Sequence, residues 1–362
     1  MPDLRDVRKR GFHARAAVDD VLALLRGLAA PLPPEPVPLA AAPHRIRAAD
    51  LHAPHAVPAF VRAAVAGYAV RGEDTFAATD QAPLLLRLRG ESLPGRPAPV
   101  AVGDGDAVRI TTGAPLPAGA DAVLQAELAR LTDDGRGVLA LGPVAPLRHI
   151  GQVGEDLARG ALVLRAGRRL RPQDVGVLAS LGLDQVLVVR RPRLAYLSTG
   201  DELVAPGAPP GPFQIVDSNA LTVAALADRD RAERLPPGRS RDGEAPLRAA
   251  LSDMVRGPAD VLVVSGATSV GTMDIMPLLV RELGELLVHG VAMRPSSPAG
   301  LGRLADGRPI FLLPGNPVSC LCAYEFFVGP LLRALGGRPH PWAWPHPPPP
   351  PPRPPPHPPR HA

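Results

Sequence analysis

The sequence of 362 residues is poor in several residue types, and each shortage excludes a class of protein. Aromatic residues make up 3% of the chain, too few for a surface that stacks nucleic-acid bases on aromatic rings. Lys9 is the single lysine, so the net charge of +5 comes from arginine, which clusters only in short runs such as 188–193. A surface that follows a phosphate backbone needs a longer basic cluster, so we expect no nucleic-acid partner. No apolar run approaches the roughly 18 residues of a membrane span, so we expect no membrane partner either.

Cysteine is nearly absent as well. Cys320 and Cys322 lie in an apolar helical pattern, where residues two apart point to different faces and cannot easily pair. The pattern favours buried thiols, with a redox or metal-binding pair as the alternative. The N-terminus carries charges and no apolar signal segment. We therefore expect a cytoplasmic protein in a reducing compartment.

The motifs of the common nucleotide and metal enzymes are missing too, since the sequence has no GxxxxGK[ST], no GxGxxG after a strand, no HExxH and no paired CxxC. What it has instead is a hydrophobic content of 46%, mostly aliphatic, in a chain long enough to bury two or more cores. We expect several globular domains.

The secondary-structure pattern changes twice along the chain. Apolar residues at helical spacing predict a helix over 14–28, which a Pro-rich segment ends. Residues 35–187 are interrupted by Pro or Gly every few positions, which is typical of short strands and turns, with one helix predicted over 172–182. From residue 188 onward, short apolar runs alternate with helical segments, as in βαβ units.

This last region predicts a parallel sheet. Its apolar runs RLAYLSTG, ADVLVVSG and PIFLLPG each end in glycine, and the predicted helices are 218–228, 245–256, 274–284 and 317–335. Ligands bind to such sheets beyond the carboxyl ends of the strands, where all three glycine-containing loops fall. The predicted fold class is therefore α/β plus mainly-β.

The last 25 residues hold 14 of the 48 prolines and cannot form a packed core. We expect an extended, disordered polyproline segment, with a ligand for an aromatic-groove domain or a His-based metal site as the alternatives.

Two asparagines remain in a chain from which Asn and Lys are nearly eliminated, Asn219 in VDSNA and Asn316 in LPGNP. Both fall in or beside the predicted binding loops, which indicates that the amide is required, either to hold a turn or to contact a ligand. Asn316 is the predicted N-cap of the last helix, with Pro317 at its first position and Ser319 in its first turn. This helix start is either an ordinary cap or a site for a phosphate or oxyanion.

Carboxylates lie near these loops in the sequence. The candidates are Asp156, Asp201, Glu202, Asp217, Asp242 and Asp274. A few carboxylates beside anion-binding loops suit a hydrated Mg²⁺, which shares its octahedron with water and substrate phosphate. Capping or solvent exposure is the alternative role for each of them.

Seven sequence motifs follow one another along the chain. They are GYAVRGEDT, RITTGAPLPAGADAV, GEDLARGALVLRAG, LSTGDELVAPG, QIVDSNA, SGATSVGTMDIM and LPGNPVS. In this order they resemble the molybdopterin molybdenumtransferase family (MoeA, and the E domain of gephyrin), over residues 14–337. The resemblance implies a transferase that binds adenylylated molybdopterin, inserts molybdate at the dithiolene and releases AMP with a divalent metal, usually Mg²⁺.

The resemblance also implies an elongated homodimer, with the site between the α/β domain of one chain and the β-rich domains of the other, and with other molybdenum cofactor synthesis proteins as further partners. The α/β domain is expected to be a three-layer, MogA-like domain with a parallel-rich sheet. The expected domains are 1–65 with 146–187 (helix and β-rich linking or dimerisation domain), 66–145 (β-rich inserted domain), 188–337 (molybdopterin-binding domain) and 338–362 (Pro-rich tail in place of the family's small β-barrel domain).

Carried over position by position, the resemblance gives the expected site residues. The catalytic set is Asp274, Asp242, Glu202, Asp156 and Thr112, of which Glu202, Asp242 and Asp274 are the expected metal ligands. The substrate-binding set is Ser198, Thr199, Gly200, Asp217, Asn219, Gly266, Ser269, Gly271, Arg294, Pro314, Gly315, Asn316 and Ser319.

Several positions depart from the family's motifs. Ala66 stands where the family has Asp, Arg294 and Ser297 where it has Lys, and Ala267 and Thr272 where it has Gly and Glu. Arg294 keeps the positive charge, but its planar guanidinium needs a different geometry. A charged hydrogen bond contributes roughly 1.5–3 kcal/mol, so losing the lysine corresponds to about 10- to 150-fold in affinity or rate. The alternative to an active enzyme is therefore a catalytically impaired carrier or scaffold that binds molybdopterin or molybdate. A molybdopterin adenylyltransferase is a third hypothesis, against which the long β-rich first half argues.

Overall fold

The structure is a computed structural model that describes residues 15–266, 275–339 and 341–342. The described chain forms two compact units. The α/β unit comprises the residues up to 49, the segment 166–171 and the residues from 185 onward. The β-rich unit comprises residues 50–165 and 172–184.

Seven α-helices and twenty-one strands make up the described residues. The helices are α1 (Val18–Gly27), α2 (Pro172–Ser180), α3 (Ser218–Arg229), α4 (Glu244–Arg256), α5 (Met276–Leu283), α6 (Pro317–Ala323) and α7 (Gly329–Leu335), with a π-helical turn at Tyr324–Val328 and 3₁₀ turns at Leu39–Ala41, Gly72–Thr75 and Ala126–Leu128. The strands are β1 (Pro34–Pro38), β2 (Leu51–His52), β3 (Arg62–Ala63), β4 (Gly67–Val70), β5 (Leu84–Ser92), β6 (Asp106–Ile110), β7 (Ala122–Gln125), β8 (Ala129–Leu131), β9 (Gly137–Ala140), β10 (Ile150–Gly151), β11 (Leu162–Leu164), β12 (Gln185–Val189), β13 (Arg193–Thr199), β14 (Leu203–Val204), β15 (Ile215–Val216), β16 (Glu233–Arg234), β17 (Gly238–Ser240), β18 (Val261–Ser265), β19 (Gly284–His289), β20 (Gly300–Leu304) and β21 (Pro309–Leu313).

The central sheet of the α/β unit has the strand order β16-β13-β18-β21-β20-β19, with β17 also paired to β13. Strands β13, β18 and β21 are neighbours and run parallel, which confirms the parallel sheet predicted from the three apolar runs. Their carboxyl ends therefore lie side by side at one edge.

The antiparallel strands β20 and β19 at the other side of this sheet were not predicted. The helix predicted over 274–284 gives way to β19 at Gly284. A Cβ at Gly284 would lie 2.2 Å from the Arg303 carbonyl oxygen, so a glycine is needed where β20 passes.

Helices cover both faces of the central sheet, as expected for a three-layer domain. Successive side chains of a strand point to opposite faces. Leu194 and Tyr196 accordingly pack with α1, α3, α6 and α7, whereas Ala195 and Leu197 pack with α4 and α5. Each buried aliphatic side chain contributes roughly 1.5–3 kcal/mol, so the two cores hold the strand ends in fixed register.

The β-rich unit contains a six-stranded sheet in the order β7-β4-β6-β5-β9-β8, whose pairs are antiparallel except β5 with β6. Alternating residues again supply two cores: Val70 lies in one and Ala69 in the other. The strand pairs β3–β10 and β2–β11 complete the predicted pattern of short strands, and α2 is the single helix predicted there.

The helical stretch Pro317–Leu335 is long and apolar enough to cross a membrane by length and composition, but 61% of its most apolar window is buried inside the protein. Phe327, Leu331 and Leu332 on this stretch belong to the core of the α/β unit, so it is a core helix here. Cys320 is a free, buried thiol, as predicted, and Cys322 is free and half-buried. The predicted polyproline segment lies outside the described residues apart from 338–339 and 341–342, and the four-domain division stays a prediction.

Candidate functional site

A cavity of about 410 Å³ lies at the carboxyl ends of β13, β18 and β21, where the sequence predicts the binding loops. Its lining residues come from the loops after these strands and from the starts of α3 and α6. They are Ser198, Thr199, Glu202, Leu203, Ile215, Val216, Asp217, Ser218, Asn219, Ser265, Gly266, Gly315, Asn316 and Pro317.

The floor of the cavity is formed by backbone. Gly266 has a φ of +116°, and a Cβ on it would lie 2.3 Å from the carbonyl oxygen of Thr199. A Cβ on Gly315 would lie 3.4 Å from the Cα of Gly266. The three loops are therefore in direct contact, and at Gly266 both the backbone conformation and the space require glycine.

The Asn219 side chain connects these loops to α3 through hydrogen bonds. Its side chain is 8% exposed, and its Nδ2 donates to the Gly315 carbonyl oxygen at 2.8 Å and to Ser265 Oγ at 3.2 Å. Its Oδ1 is buried and has no hydrogen-bond partner among the described residues. An unpaired buried acceptor costs about 1–3 kcal/mol. The amide therefore joins the loops that follow β18 and β21 to the start of α3.

Two helices begin at the cavity. Asp217, 6% exposed, is the N-cap of α3 and accepts from the Ala220 N–H at 3.1 Å. Asn316 is the N-cap of α6 and accepts from the N–H groups of Val318 at 3.1 Å and Ser319 at 3.3 Å, which confirms the predicted cap. The positive ends of the two helix dipoles favour an anion at this wall.

Glu202 supplies a carboxylate on the same wall. A Cβ on Gly200 would lie 2.5 Å from Glu202 Oε2, so the carboxylate folds back over the glycine that directly follows β13. The backbone of Glu202 is fixed by the Ile215 N–H, which donates to its carbonyl oxygen at 2.8 Å. Glu202 is exposed, so its charge remains in contact with solvent.

Apolar residues form a second wall, which the sequence reasoning missed. Leu203, Ile215 and Val216 lie on the parallel pair β14–β15 and line the cavity. The available signal was the apolar pair Ile215–Val216 directly before Asp217, since it is the only apolar pair between a Pro/Gly-rich segment and α3. Ser218, Ser265 and Pro317 were also missed as lining residues. One wall thus suits a planar ring and the other suits anionic groups.

Beneath the floor lies a buried thiol. Burial raises the pKa of Cys320 to about 11, and a hydrogen bond with Ser265 offsets this in part. Burial likewise raises the pKa of Tyr196, which contacts the same serine. Both groups therefore stay protonated and neutral at physiological pH, and neither serves as a nucleophile or a base.

Most of the predicted site residues that the structure describes in the α/β unit come together at this cavity. Those that line it are Ser198, Thr199, Glu202, Asp217, Asn219, Gly266, Gly315 and Asn316. Among the described residues, Gly200, Asp242, Arg294, Pro314 and Ser319 lie in the same unit but outside the lining. Asp242 lies next to the lining residue Glu202, because its Oδ2 accepts a hydrogen bond at 3.5 Å from the backbone N–H of the preceding residue, Asp201.

The segment around Arg294 contacts the start of α6. Ser296, 2% exposed, donates from Oγ to the Ser319 carbonyl oxygen at 2.5 Å, while Arg294 is exposed. Ser297, which stands in place of the family's lysine, donates to the Val291 carbonyl oxygen at 3.4 Å.

The remaining predicted residues lie elsewhere. Thr112 and Asp156 are exposed in the β-rich unit, where Asp156 forms an ion pair with Arg62 at 3.2 Å. Ala66 is an exposed residue of the same unit. Ser269, Gly271 and Asp274, like the substituted positions Ala267 and Thr272, lie outside the described residues. Within the described ranges, no three His, Cys, Asp or Glu side chains are grouped closely enough to hold a metal ion by themselves.

Comparisons with known proteins cover both units. A family described as the MoeA N-terminal region (domain I and II) matches residues 16–182, and a family described as a probable molybdopterin binding domain matches residues 195–334. Molybdopterin molybdenumtransferase 2 of Mycobacterium tuberculosis is 38% identical over 323 residues, which are 86% of this chain and 78% of that protein. Molybdopterin molybdenumtransferase of Haemophilus influenzae is 36% identical over 325 residues, 90% of this chain and 78% of that protein.

A solved structure is similar as well. The crystal structure of the molybdopterin biosynthesis MoeA protein from Pyrococcus horikoshii has a TM-score of 0.79 and 35% identity, covering 90% of this chain and 81% of that chain. These findings confirm the predicted fold class, and the names of the relatives describe the predicted class of enzyme, a transferase. The chain belongs to the molybdopterin molybdenumtransferase family.

Proposed function

We propose that this protein inserts molybdate into adenylylated molybdopterin and releases AMP, a step of molybdenum cofactor synthesis. The observation that carries the proposal is the cavity of about 410 Å³ at the carboxyl ends of three parallel strands, with two helix N-termini on one side and aliphatic side chains on the other. A ligand with a flat ring at one end and phosphate at the other matches these two walls. The names of the relatives support the same substrate.

Different parts of the cavity bind different parts of the ligand. The starts of α3 and α6 direct the positive ends of their dipoles toward the phosphate groups, and the aliphatic wall at Leu203, Ile215 and Val216 contacts the pterin ring. Asn219 keeps the floor in place through its hydrogen bond to Gly315.

A divalent cation fits this donor set. Mg²⁺ needs one or two carboxylates and completes its octahedron with water and phosphate oxygens. Glu202 is an exposed carboxylate on the cavity wall, and Asp242 contacts the residue before it. We assign Glu202, Asp242 and Asp274 to Mg²⁺, which when bound neutralises charge on the phosphate that leaves with AMP.

The test is turnover by the purified chain with adenylylated molybdopterin, molybdate and Mg²⁺, measured as released AMP and inserted metal. Glu202→Gln should lower the rate at least tenfold and raise the Mg²⁺ concentration needed for half-maximal rate. Glu244→Gln, an exposed carboxylate on α4, is the matched control and should leave both unchanged. Equal rates for the two variants would remove Glu202 from the proposed mechanism.

A second candidate function is a carrier or scaffold that binds without turnover. The observation that favours it is the pair of substitutions, an exposed Ala66 for the family's Asp and Ser297 for its Lys. Binding of adenylylated molybdopterin without AMP release, together with turnover restored by Ala66→Asp with Ser297→Lys, would establish the carrier. Turnover by the unchanged chain that Glu202→Gln abolishes would exclude it.

Assembly and location are part of the same proposal. We propose a cytoplasmic homodimer, with the four domains expected from the sequence, because this is what membership of the family implies. Sedimentation equilibrium of the full chain tests the dimer: a mass of about twice the 37.8 kDa of one chain is expected.

A further inference from the structure

A second cleft lies in the α/β unit at the other end of β13. Pro192, directly before β13, lines this cleft, whereas Ser198 and Thr199 at the end of the strand line the large cavity. The strand has seven residues, so the two sites are separated by roughly 20 Å. Six arginines line the cleft, with Asp230 as the single carboxylate in the lining: Arg45, Arg190, Arg191, Arg231, Arg333 and Arg338.

Three of these arginines are neutralised by carboxylates. The pairs are Arg45 with Glu35, Arg190 with both oxygens of Asp260 at 2.7 and 2.9 Å, and Arg333 with Asp230 at 3.0 Å. Arg45 is 9% exposed and also donates to the Val189 carbonyl oxygen at 3.0 Å. These groups are fixed and form the walls of the cleft.

The other three arginines have no carboxylate partner within residues 15–266, 275–339 and 341–342. Arg338 donates to the Arg229 carbonyl oxygen at 3.2 Å. Arg191 and Arg231 are exposed, and their guanidinium groups make no hydrogen bond with any described residue. The pKa of Arg191 is lowered by burial first and then by the charges of Arg45 and Arg231. The cleft thus holds several positive charges together without the counter-charge that would balance them.

The size and the donors of the cleft define what can balance this charge. The enclosed volume is about 20 Å³, which is room for about one water molecule, so one oxygen of an anionic group enters while the rest of the group stays at the exposed mouth. Guanidinium groups present paired N–H donors that match the oxygens of phosphate. With three unpaired cations around one point, a doubly charged anion balances the site better than a single carboxylate does.

We propose that this cleft is an oxyanion-binding site for a doubly charged tetrahedral group of the phosphate class, separate from the large cavity. Arg191, Arg231 and Arg338 donate to the anion, and the three paired arginines shape the walls. The source of the group is either a free oxyanion, such as phosphate or molybdate, or the terminal phosphate of a nucleotide such as AMP.

The experiment is calorimetric titration of the full chain with inorganic phosphate, with molybdate and with AMP, each at low ionic strength. The double variant Arg191→Gln with Arg231→Gln keeps side-chain length and polarity and removes two charges. It should raise the Kd at least tenfold, because a hydrogen bond to a charged group is worth a factor of this size. Arg130→Gln, an exposed arginine of the β-rich unit, is the matched control and should not change the Kd.

Thermal unfolding separates binding from a structural role. Without added anion, the double variant should unfold at the same temperature as the unchanged chain or higher, because it relieves repulsion between like charges. Phosphate should raise the unfolding temperature of the unchanged chain and not that of the double variant. A lower unfolding temperature of the double variant without anion would show that the arginines serve the fold alone, and would overturn the proposal.

The outcomes also distinguish the ligand and the site. Binding that the double variant loses belongs to the cleft, and AMP binding that it retains belongs to the large cavity. Loss of comparable affinity for phosphate and AMP identifies the free oxyanion, whereas loss of AMP binding alone identifies the nucleotide phosphate. AMP release in the turnover assay should be the same for the double variant, since the cleft is separate from the cavity proposed for the reaction. No binding of any of the three anions to the unchanged chain, or binding that the double variant retains in full, refutes the site.

Discussion

Replacing Asn219 by alanine should loosen the floor of the large cavity. The change removes two hydrogen bonds from a side chain that is 8% exposed, one to Gly315 and one to Ser265. Each contributes about 1 kcal/mol, and Ser265 Oγ, itself 2% exposed, loses a partner that water cannot easily replace. Removal of the unpaired Oδ1 offsets part of this loss in the free energy of unfolding. The expected net loss in the free energy of unfolding is about 2 kcal/mol.

Urea unfolding followed by circular dichroism measures this loss. Leu221→Ala is the matched control, because Leu221 lies on the same helix, is 61% exposed and should change stability by less than about 0.5 kcal/mol. The double variant Asn219→Ala with Ser265→Ala completes a cycle, in which a coupling energy of about 1 kcal/mol is expected for two residues in direct contact. Because the loop 314–316 is no longer fixed, the rate of AMP release should fall as well.

The structural role of the Asn219 amide is refuted if Asn219→Ala lowers the free energy of unfolding no more than Leu221→Ala does, or if the coupling energy with Ser265 is zero. The amide would then not join the two loops, and contact with the ligand would be the only remaining reason for an asparagine at this position. A normal stability with a lost AMP release would point to that second role.

Three further predictions concern the same region. Asn316→Asp should keep the cap of α6, so the free energy of unfolding should stay within about 0.5 kcal/mol of that of the unchanged chain, as urea unfolding measures. The added negative charge should weaken AMP binding about tenfold, as calorimetry measures. Gly266→Ala should lower the free energy of unfolding by more than about 2 kcal/mol, because the added Cβ would overlap the Thr199 backbone. Gly135→Ala is the control: Gly135 has a φ of +66° and open space around it, so the loss should be about 1–2 kcal/mol. Equal losses for the two variants would contradict the close contact at Gly266. Burial raises the pKa of Cys320 from 9.0 to about 11 in the folded chain, so the unfolded chain loses its proton first as the pH rises. About 2 kcal/mol of stability should therefore be lost between pH 9 and 11. Cys320→Ala should lack this loss, so the stability difference between the two chains should narrow over that pH range.

The parallel sheet could be predicted because its signal is local. Short apolar runs that end in glycine and alternate with helices define β13, β18 and β21, and their pairing follows from the rules for βαβ units. The N-cap at Asn316 was equally local, since cap residue, Pro317 and an apolar helix follow one another directly. The antiparallel strands β19 and β20 were missed because the helix period of α5 runs straight into Gly284, and only the contact with Arg303 ends the helix there.

The site was predictable only in part, for a physical reason. The motifs identify loops, but which side chains of a loop face the ligand depends on contacts between segments far apart in the chain. Asn219, for example, turns toward Gly315, 96 residues away, and nothing near residue 219 in the sequence encodes that partner. The aliphatic wall on β14 and β15 arises from a pairing of two strands of two residues each, too short for any periodic signal.

The floor of the large cavity consists of backbone contributed by Thr199, Gly266 and Gly315. Backbone N–H and C=O groups are the same whatever amino acids a chain prefers, so this part of the site is untouched by the shift toward Ala, Arg and Pro that has nearly removed Asn and Lys from the sequence. Selectivity among ligands of similar shape is then set by the side chains of the walls, among them Leu203, Ile215 and Val216 of the aliphatic wall. Redesign of the ligand range should begin at these three positions and leave the floor unchanged.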